Sequence, residues 1–325
     1  MEYVGVAVDN KFAKRFVIVF AIFSMVAALL VGVARSLPKK QADFSIVATN
    51  FASYDFARAI VGDAGEVKML LKPAAEMHDY EPTPQDIVDI SKADFFIYTG
   101  GESDGWVDNM LRDNNIDLGK TLRLIDFVDL KNEEIKEGMD AKDEEEGEEE
   151  IDEHVWTSPV NAIRIVQSLR DHFIAKKPAK LSEFTDNAQK YIYDLEKIDE
   201  YIKSLLKSAK RKELIFADRF PFRYFVDEYG LDYYAAFPGC AEQTEASSST
   251  IAFLIDKVKA DKIPVVLKIE LTNGALAQTI ADETGAKVYT LNAAHNISQE
   301  DFDAGKTYVD IMYENIEILK KALLQ

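Results

Sequence analysis

The chain has 325 residues and a formal net charge of −19 at pH 7. That length holds two domains with full cores; that charge excludes a nucleic-acid binder, which needs a basic surface against phosphate, and adhesion to anionic lipid. The single cysteine, Cys240, excludes an intrachain disulfide and any multi-cysteine metal site.

A small basic cluster (Lys11, Lys14, Arg15) precedes an apolar run from Phe16 to Val33, in which Ser24 is the one polar side chain. This order predicts an export signal or a signal anchor, at the lower limit for spanning a bilayer. Gly32-Val33-Ala34 suits cleavage after Ala34, and the lack of a cysteine next to the run argues against a lipid anchor. Residues 1–41 therefore read as signal peptide or membrane anchor plus linker, with the remainder outside the cytoplasm.

From Phe44 the pattern is βα. Strands are predicted at 44–49, 67–71, 95–98 and 121–125, with helices at 51–61 (stopped by Gly62), 84–92 and from Trp106. Apolar strands alternating with helical runs imply a parallel sheet covered on both faces. Between the second strand and its helix stands Met77-His78-Asp79-Tyr80-Glu81-Pro82-Thr83-Pro84-Gln85-Asp86. Thr83 suits an N-cap, Pro84 the first helical position and Asp86 the positive end of the helix dipole. His78 is thereby presented on a short loop.

Residues 133–153 interrupt the pattern. Asp140 to Glu153 carries ten acidic residues and one lysine, without apolar periodicity, and predicts a mobile loop. It ends at His154, so it also reads as a cation-collecting antenna. In Asp152-Glu153-His154-Val155-Trp156-Thr157-Ser158-Pro159 a histidine again precedes a cap and a helix-opening proline. A helix follows to Phe173, then a long one over 181–207. Its apolar positions Phe184, Ala188, Ile192, Leu195, Ile198, Ile202 and Leu205 form one continuous face.

The first half then recurs. Strands are predicted at 213–218, 233–237, 265–269 and 287–291, with helices at 220–229, 244–260, 276–284 and 308–324. The predicted class is α/β: two (β/α) lobes, each with a four-stranded parallel sheet. An N-terminal lobe (42–178) and a C-terminal lobe (210–325) are joined by one long linking helix (179–209).

Ligands of open parallel sheets bind beyond the carboxyl ends of the strands. Asn50, His78, Glu102 and His154 stand there in the first half. Asp218 with Arg219, Glu242, Glu270 and His295 stand there in the second. His172 lies on a helix and reads as a surface residue. If the two lobes face each other by these edges, imidazoles and carboxylates converge on one cleft, a set suited to a divalent first-row metal. Two or three imidazoles favour Zn2+ over the alternative, Mn2+, which prefers oxygen.

The segments His78 to Asp86 and Glu153 to Pro159 resemble the first- and second-histidine motifs of the zinc- and manganese-binding receptors of bacterial ABC transporters. Tyr224-Phe225-Val226-Asp227-Glu228-Tyr229-Gly230-Leu231 and Glu283-Thr284-Gly285-Ala286-Lys287-Val288 resemble two further segments, and the likeness covers residues 43–325. It implies a metal between two lobes, a charged loop before the second histidine and a membrane permease as partner. The sequence departs from that pattern twice. No histidine precedes Tyr224-Phe225, where Asp218 is the substitute; Arg219 cannot coordinate. Asn292 stands where an aspartate is expected, and His295 replaces it. The implied ligands are His78, His154, Asp218 and His295, with Glu81, Asn292, Glu242 and Glu270 as supporting or alternative groups. The reading is a non-enzymatic, monomeric, extracytoplasmic receptor with no nucleic-acid partner. The alternatives are a secreted metal-dependent hydrolase, with Asp79 and Glu102 as candidate bases, or a metal-binding adhesin on the same scaffold.

Overall fold

A computed structural model of the chain describes residues 44–77, 80–140, 150–241 and 245–325. The run 16–33 with Ala34, the residues His78 and Asp79, the acidic stretch 141–149, and Glu242 lie outside the described residues. Among the described residues no helix is long and apolar enough to cross a membrane.

Each half contains one four-stranded sheet. Strands β1 (Ser45–Ala48), β2 (Glu66–Met69), β3 (Phe95–Tyr98) and β4 (Thr121–Arg123) pair in the order β2-β1-β3-β4. Strands β5 (Glu213–Arg219), β6 (Asp232–Phe237), β7 (Val265–Lys268) and β8 (Lys287–Thr290) pair in the order β6-β5-β7-β8. All pairings are parallel, so each step needs a crossover that covers a sheet face. Both faces of β3 are buried accordingly: Phe95 and Ile97 point into one apolar cluster, Phe96 and Tyr98 into another.

The helices begin and end where local chemistry sets them. Helix α1 (Phe51–Val61) is capped by Asn50, and α2 (Pro84–Lys92) by Thr83, whose own amide donates back to the Asp86 carboxylate. After α3 (Trp106–Asp113), helix α4 (Pro159–Lys176) is capped by Ser158. The second half adds α6 (Arg223–Tyr229), α7 (Ser248–Ala260), α8 (Ala275–Thr284), α9 (Gln299–Asp303) and α10 (Tyr308–Leu323). Helices α6 and α8 stop at Gly230 and Gly285, whose φ of 61° and 78° suit glycine. Several boundaries differ from those the sequence predicts. β4 stops at Arg123 and rolls into a 3-10 turn, Leu124–Phe127. β5 runs on to Arg219, which pairs with Phe237 past a register shift, so α6 starts only after Pro221. α7 starts under a Ser247 cap rather than at Thr244.

Between α4 and β5 runs α5 (Leu181–Lys207), 27 residues and about 40 Å long at the helical rise. All seven positions of its predicted apolar face are buried, joined by Tyr191. The helix is pinned to both halves: the Tyr191 hydroxyl donates to Asp55 at 2.7 Å, and the Tyr229 hydroxyl donates to Asp199 at 3.0 Å. One apolar cluster continues beneath it from Phe44 to Leu323, and a smaller cluster fills the other face of each sheet.

The segment 133–153, expected as a mobile loop, is not one throughout. Residues 133–140 pack on the second half. Lys136 pairs with Asp232 and lies over the Tyr233 ring, and the Asp140 amide donates to the Ala236 carbonyl at 2.9 Å. Asn132 and Ile151 form an antiparallel bridge, flanked by Glu133 N to Glu150 O at 2.8 Å and Asp152 N to Lys131 O at 2.9 Å. The charge pattern gave no sign of this, because the anchors lie far along the chain.

Candidate metal centre

The stretch from Asp152 to Ser158 is buried throughout. Its conformation is set by Asp152, whose Oδ1 accepts the His154 amide at 2.8 Å and lies 3.0 Å from the His154 Nδ1. The Tyr224 hydroxyl donates to the Asp152 carbonyl at 2.8 Å and so ties this turn to the second half. With Nδ1 taken by a carboxylate, Nε2 is the nitrogen that can coordinate.

His295 is built in the same way from the other half. Glu270, at the end of β7, accepts the Ala293 amide at 2.8 Å and the His295 amide at 3.0 Å. The His295 Nδ1 lies 2.9 Å from the same carboxylate. Burial opposes the Glu270 charge, yet the His295 ring and the amides hold its carboxyl below the usual range. The two imidazole rings meet at right angles, 4.8 Å between centroids and 82° between planes. Trp156 lies against both, 5.7 Å from each ring, with its indole N–H donating to the Ala293 carbonyl at 2.7 Å.

The described residues ahead of His78 are held in place. Met77 is buried beside Asn50, whose amide nitrogen lies 3.8 Å from the Met77 sulfur. Asn296 donates to the carbonyls of Lys72 and Ala75 at 2.8 and 2.7 Å, and Ala74 N donates to the Ile297 carbonyl at 2.8 Å. The loop ahead of His78 is thus sewn to the segment just after His295. Glu76 is paired with Arg219 at 3.0 Å.

Other predicted groups go elsewhere. Asp218 accepts the amides of Arg219 and Ile269 at 3.0 and 3.2 Å and the Thr272 hydroxyl at 2.7 Å. It lines a cavity with Glu76, Arg219, Thr272 and Gly274 that neither His154 nor His295 borders. Expected as the third ligand, it is committed to holding the ends of β5 and β7, because one acceptor there serves two backbone amides. Asn292 closes the turn before His295, accepting from the Ala294 amide at 2.8 Å and bonding through its backbone to Asn315. Glu81 is exposed, and His172 is an exposed helix residue facing the Ser168 carbonyl.

Two groups absent from the predicted ligands stand beside His154. One ligand atom each from Glu153, His154 and Cys240 lie within 4.8 Å of one another, all three residues being buried. The Cys240 amide donates to Glu133 at 2.8 Å. Burial, then the Glu153, Glu133 and Asp152 carboxylates, push the Cys240 thiol far above its usual range. Burial pushes the Glu153 carboxyl up to about 7, against His154 and Ser103. Cys240 follows β6 just as the histidines follow their strands, and that position was the available signal.

The whole arrangement is a carboxylate-backed pair of imidazoles from two lobes, His154 buried and His295 partly so, chemistry that fits a divalent cation. Comparison with known proteins gives the same direction. The chain is 34% identical over 286 residues to the zinc-binding lipoprotein AdcA of Streptococcus pneumoniae strain R6, a match covering 87% of this chain and 57% of that protein. It thus spans little more than half of that relative. It is 31% identical over 332 residues to the high-affinity zinc uptake system protein ZnuA of Bacillus subtilis strain 168, covering 97% of this chain and 98% of the other. The crystal structure of the Zn(II)-bound ZnuA-like domain of pneumococcal AdcA superposes with a TM-score of 0.72 at 31% identity, over 87% of this chain and 99% of that one. The Bacillus subtilis metal-dependent lipoprotein YcdH gives 0.73 at 30% identity, over 87% and 100%. The family profile for the periplasmic zinc-uptake complex component A matches residues 46–322, and the chain belongs to that family.

Proposed function

We propose that the protein is an extracytoplasmic receptor that captures a zinc ion between its lobes and delivers it to the permease of an ABC transporter. One observation carries this reading: His154 and His295, from opposite lobes, meet with ring centroids 4.8 Å apart, each backed at Nδ1 by a buried carboxylate. The zinc-binding and zinc-uptake relatives support the choice of ion and of task. Our ligand candidates are His78, His154 and His295. Imidazole donors favour zinc over manganese. The run 16–33 serves as export signal or anchor, and the receptor works as a monomer. Coordination needs neutral imidazole, so binding weakens as pH falls toward the ordinary histidine pKa of about 6.5.

Metal analysis of gently purified protein tests the reading. The wild type should carry close to one equivalent of zinc, and His78→Ala and His154→Ala should each lose most of it. Zinc content unchanged in both variants would overturn the site.

A further inference from the structure

The turn that presents His295 is not one the chain holds unaided. It passes through Ala294 at a φ of 58°, in the left-handed region where a side-chain carbon crowds the backbone. Such a turn is kept by its surroundings, and here they come from both lobes. The Ala293 amide donates to Glu270 of the same lobe at 2.8 Å, and the Ala293 carbonyl accepts the Trp156 indole N–H of the other lobe at 2.7 Å. Trp156 is itself anchored. It is fully buried, it lies in the 3-10 turn Val155–Thr157 directly after His154, and its carbonyl accepts the Tyr308 hydroxyl at 2.6 Å. Thr157 closes the same turn on the His154 carbonyl, through its amide at 3.1 Å and its hydroxyl at 2.8 Å. The indole then meets both imidazoles edge to face, at 64° to His154 and 86° to His295. One side chain therefore touches both rings and also bonds to the turn that carries one of them.

We propose, resting on the zinc-receptor reading above, that Trp156 is a positioning residue, which holds His295 at the distance and angle from His154 that a tetrahedral ion requires. The indole is a donor only and does not coordinate. It acts through the Ala293 carbonyl and through the two ring contacts, and so couples the lobes at the point where the cation sits between them.

Trp156→Phe in the full-length protein tests this, because it keeps an aromatic ring and removes the N–H that reaches Ala293. Zinc affinity, measured by chelator competition at a temperature where the variant is folded, should fall by about 10- to 100-fold, the range typical when a group that orients a metal ligand is removed. Cobalt(II) bound in place of zinc should show a weaker and shifted visible absorption, the mark of a departure from tetrahedral geometry. Leu195→Ala, a core change remote from the rings in sequence, should keep the wild-type affinity and the wild-type spectrum. Wild-type affinity and spectrum in Trp156→Phe overturn the proposal and leave the receptor reading standing. Losses of equal size in Leu195→Ala assign the effect to stability alone and also overturn it. No uptake of zinc or cobalt by the wild type removes both. Should Trp156→Phe fail to fold, wild-type protein labelled with 5-fluorotryptophan decides. The chain has two tryptophans, and the fluorine resonance of Trp156, assigned with Trp106→Phe, should shift as zinc fills the site; a resonance unmoved at one equivalent overturns the proposal.

Discussion

A histidine becomes a metal ligand when something else decides which of its nitrogens carries the proton. Asp152 and Glu270 lie against the Nδ1 of His154 and His295, and in the receptor we propose they fix each ring so that Nε2 is the nitrogen offered to the cation. Glu270→Gln sets an amide NH2 against one of the two backbone N–H groups it now accepts, and should weaken zinc binding by about 10- to 100-fold in a chelator competition assay. Asp218→Asn should lower the melting temperature and leave zinc affinity unchanged; an equal loss of affinity would make Asp218 a ligand after all. Asp104 gives a separate pH signature. Burial raises its carboxyl from 3.8 to about 6, although Oδ2 accepts the Thr99 and Gly100 amides at 2.6 and 3.0 Å. The folded state therefore keeps a proton that the unfolded chain releases near pH 4, and stability falls as pH rises from about 4 through 6, by roughly 3 kcal/mol. Asp104→Asn should flatten that limb in denaturant titrations; a wild-type slope retained in the variant would exclude Asp104 as its source. Glu270 was legible as a supporting group after its strand, but its pairing with His295 was not, because the two lie 25 positions apart and nothing local links them.

At the scale of elements, legibility followed distance along the chain. The caps at Thr83 and Ser158 and the buried stripe of α5 were readable because each is written within one or two turns. The true reach of β5, and the docking of 133–140 on the second half, depend on partners such as Phe237 and Ala236 that no local pattern announces. Helix α5 is where packing matters most, since its face belongs to the core of both halves. Leu195→Ala, at a fully buried position of that face, should cost about 2–5 kcal/mol. Thermal denaturation should show this as one cooperative transition at lower temperature, with zinc binding intact below it. Two resolved transitions would mean that the halves unfold separately.

On the whole-molecule scale, the lobes are stitched together around the centre. Phe51 N donates to the His295 carbonyl at 3.1 Å, Tyr308 to the Trp156 carbonyl at 2.6 Å, and Asp55 receives both Tyr191 and the Tyr308 amide. Such stitching, with α5 alongside, opposes wide hinge motion, so solution scattering should give nearly the same radius of gyration with and without zinc. Charge acts over longer range. Residues 141–149 hold six acids and one lysine, and deleting them should slow zinc capture at low salt while leaving equilibrium affinity unchanged. An unaltered association rate would remove the antenna role. The bridge between Asn132 and Ile151 has a consequence of its own. It holds together the two ends of an insertion, and lengthening an insertion whose ends are already joined adds only a slowly rising closure entropy. A fluorescent reporter spliced between residues 140 and 150 should therefore leave the fold intact, and this position is the natural graft point for a genetically encoded zinc gauge.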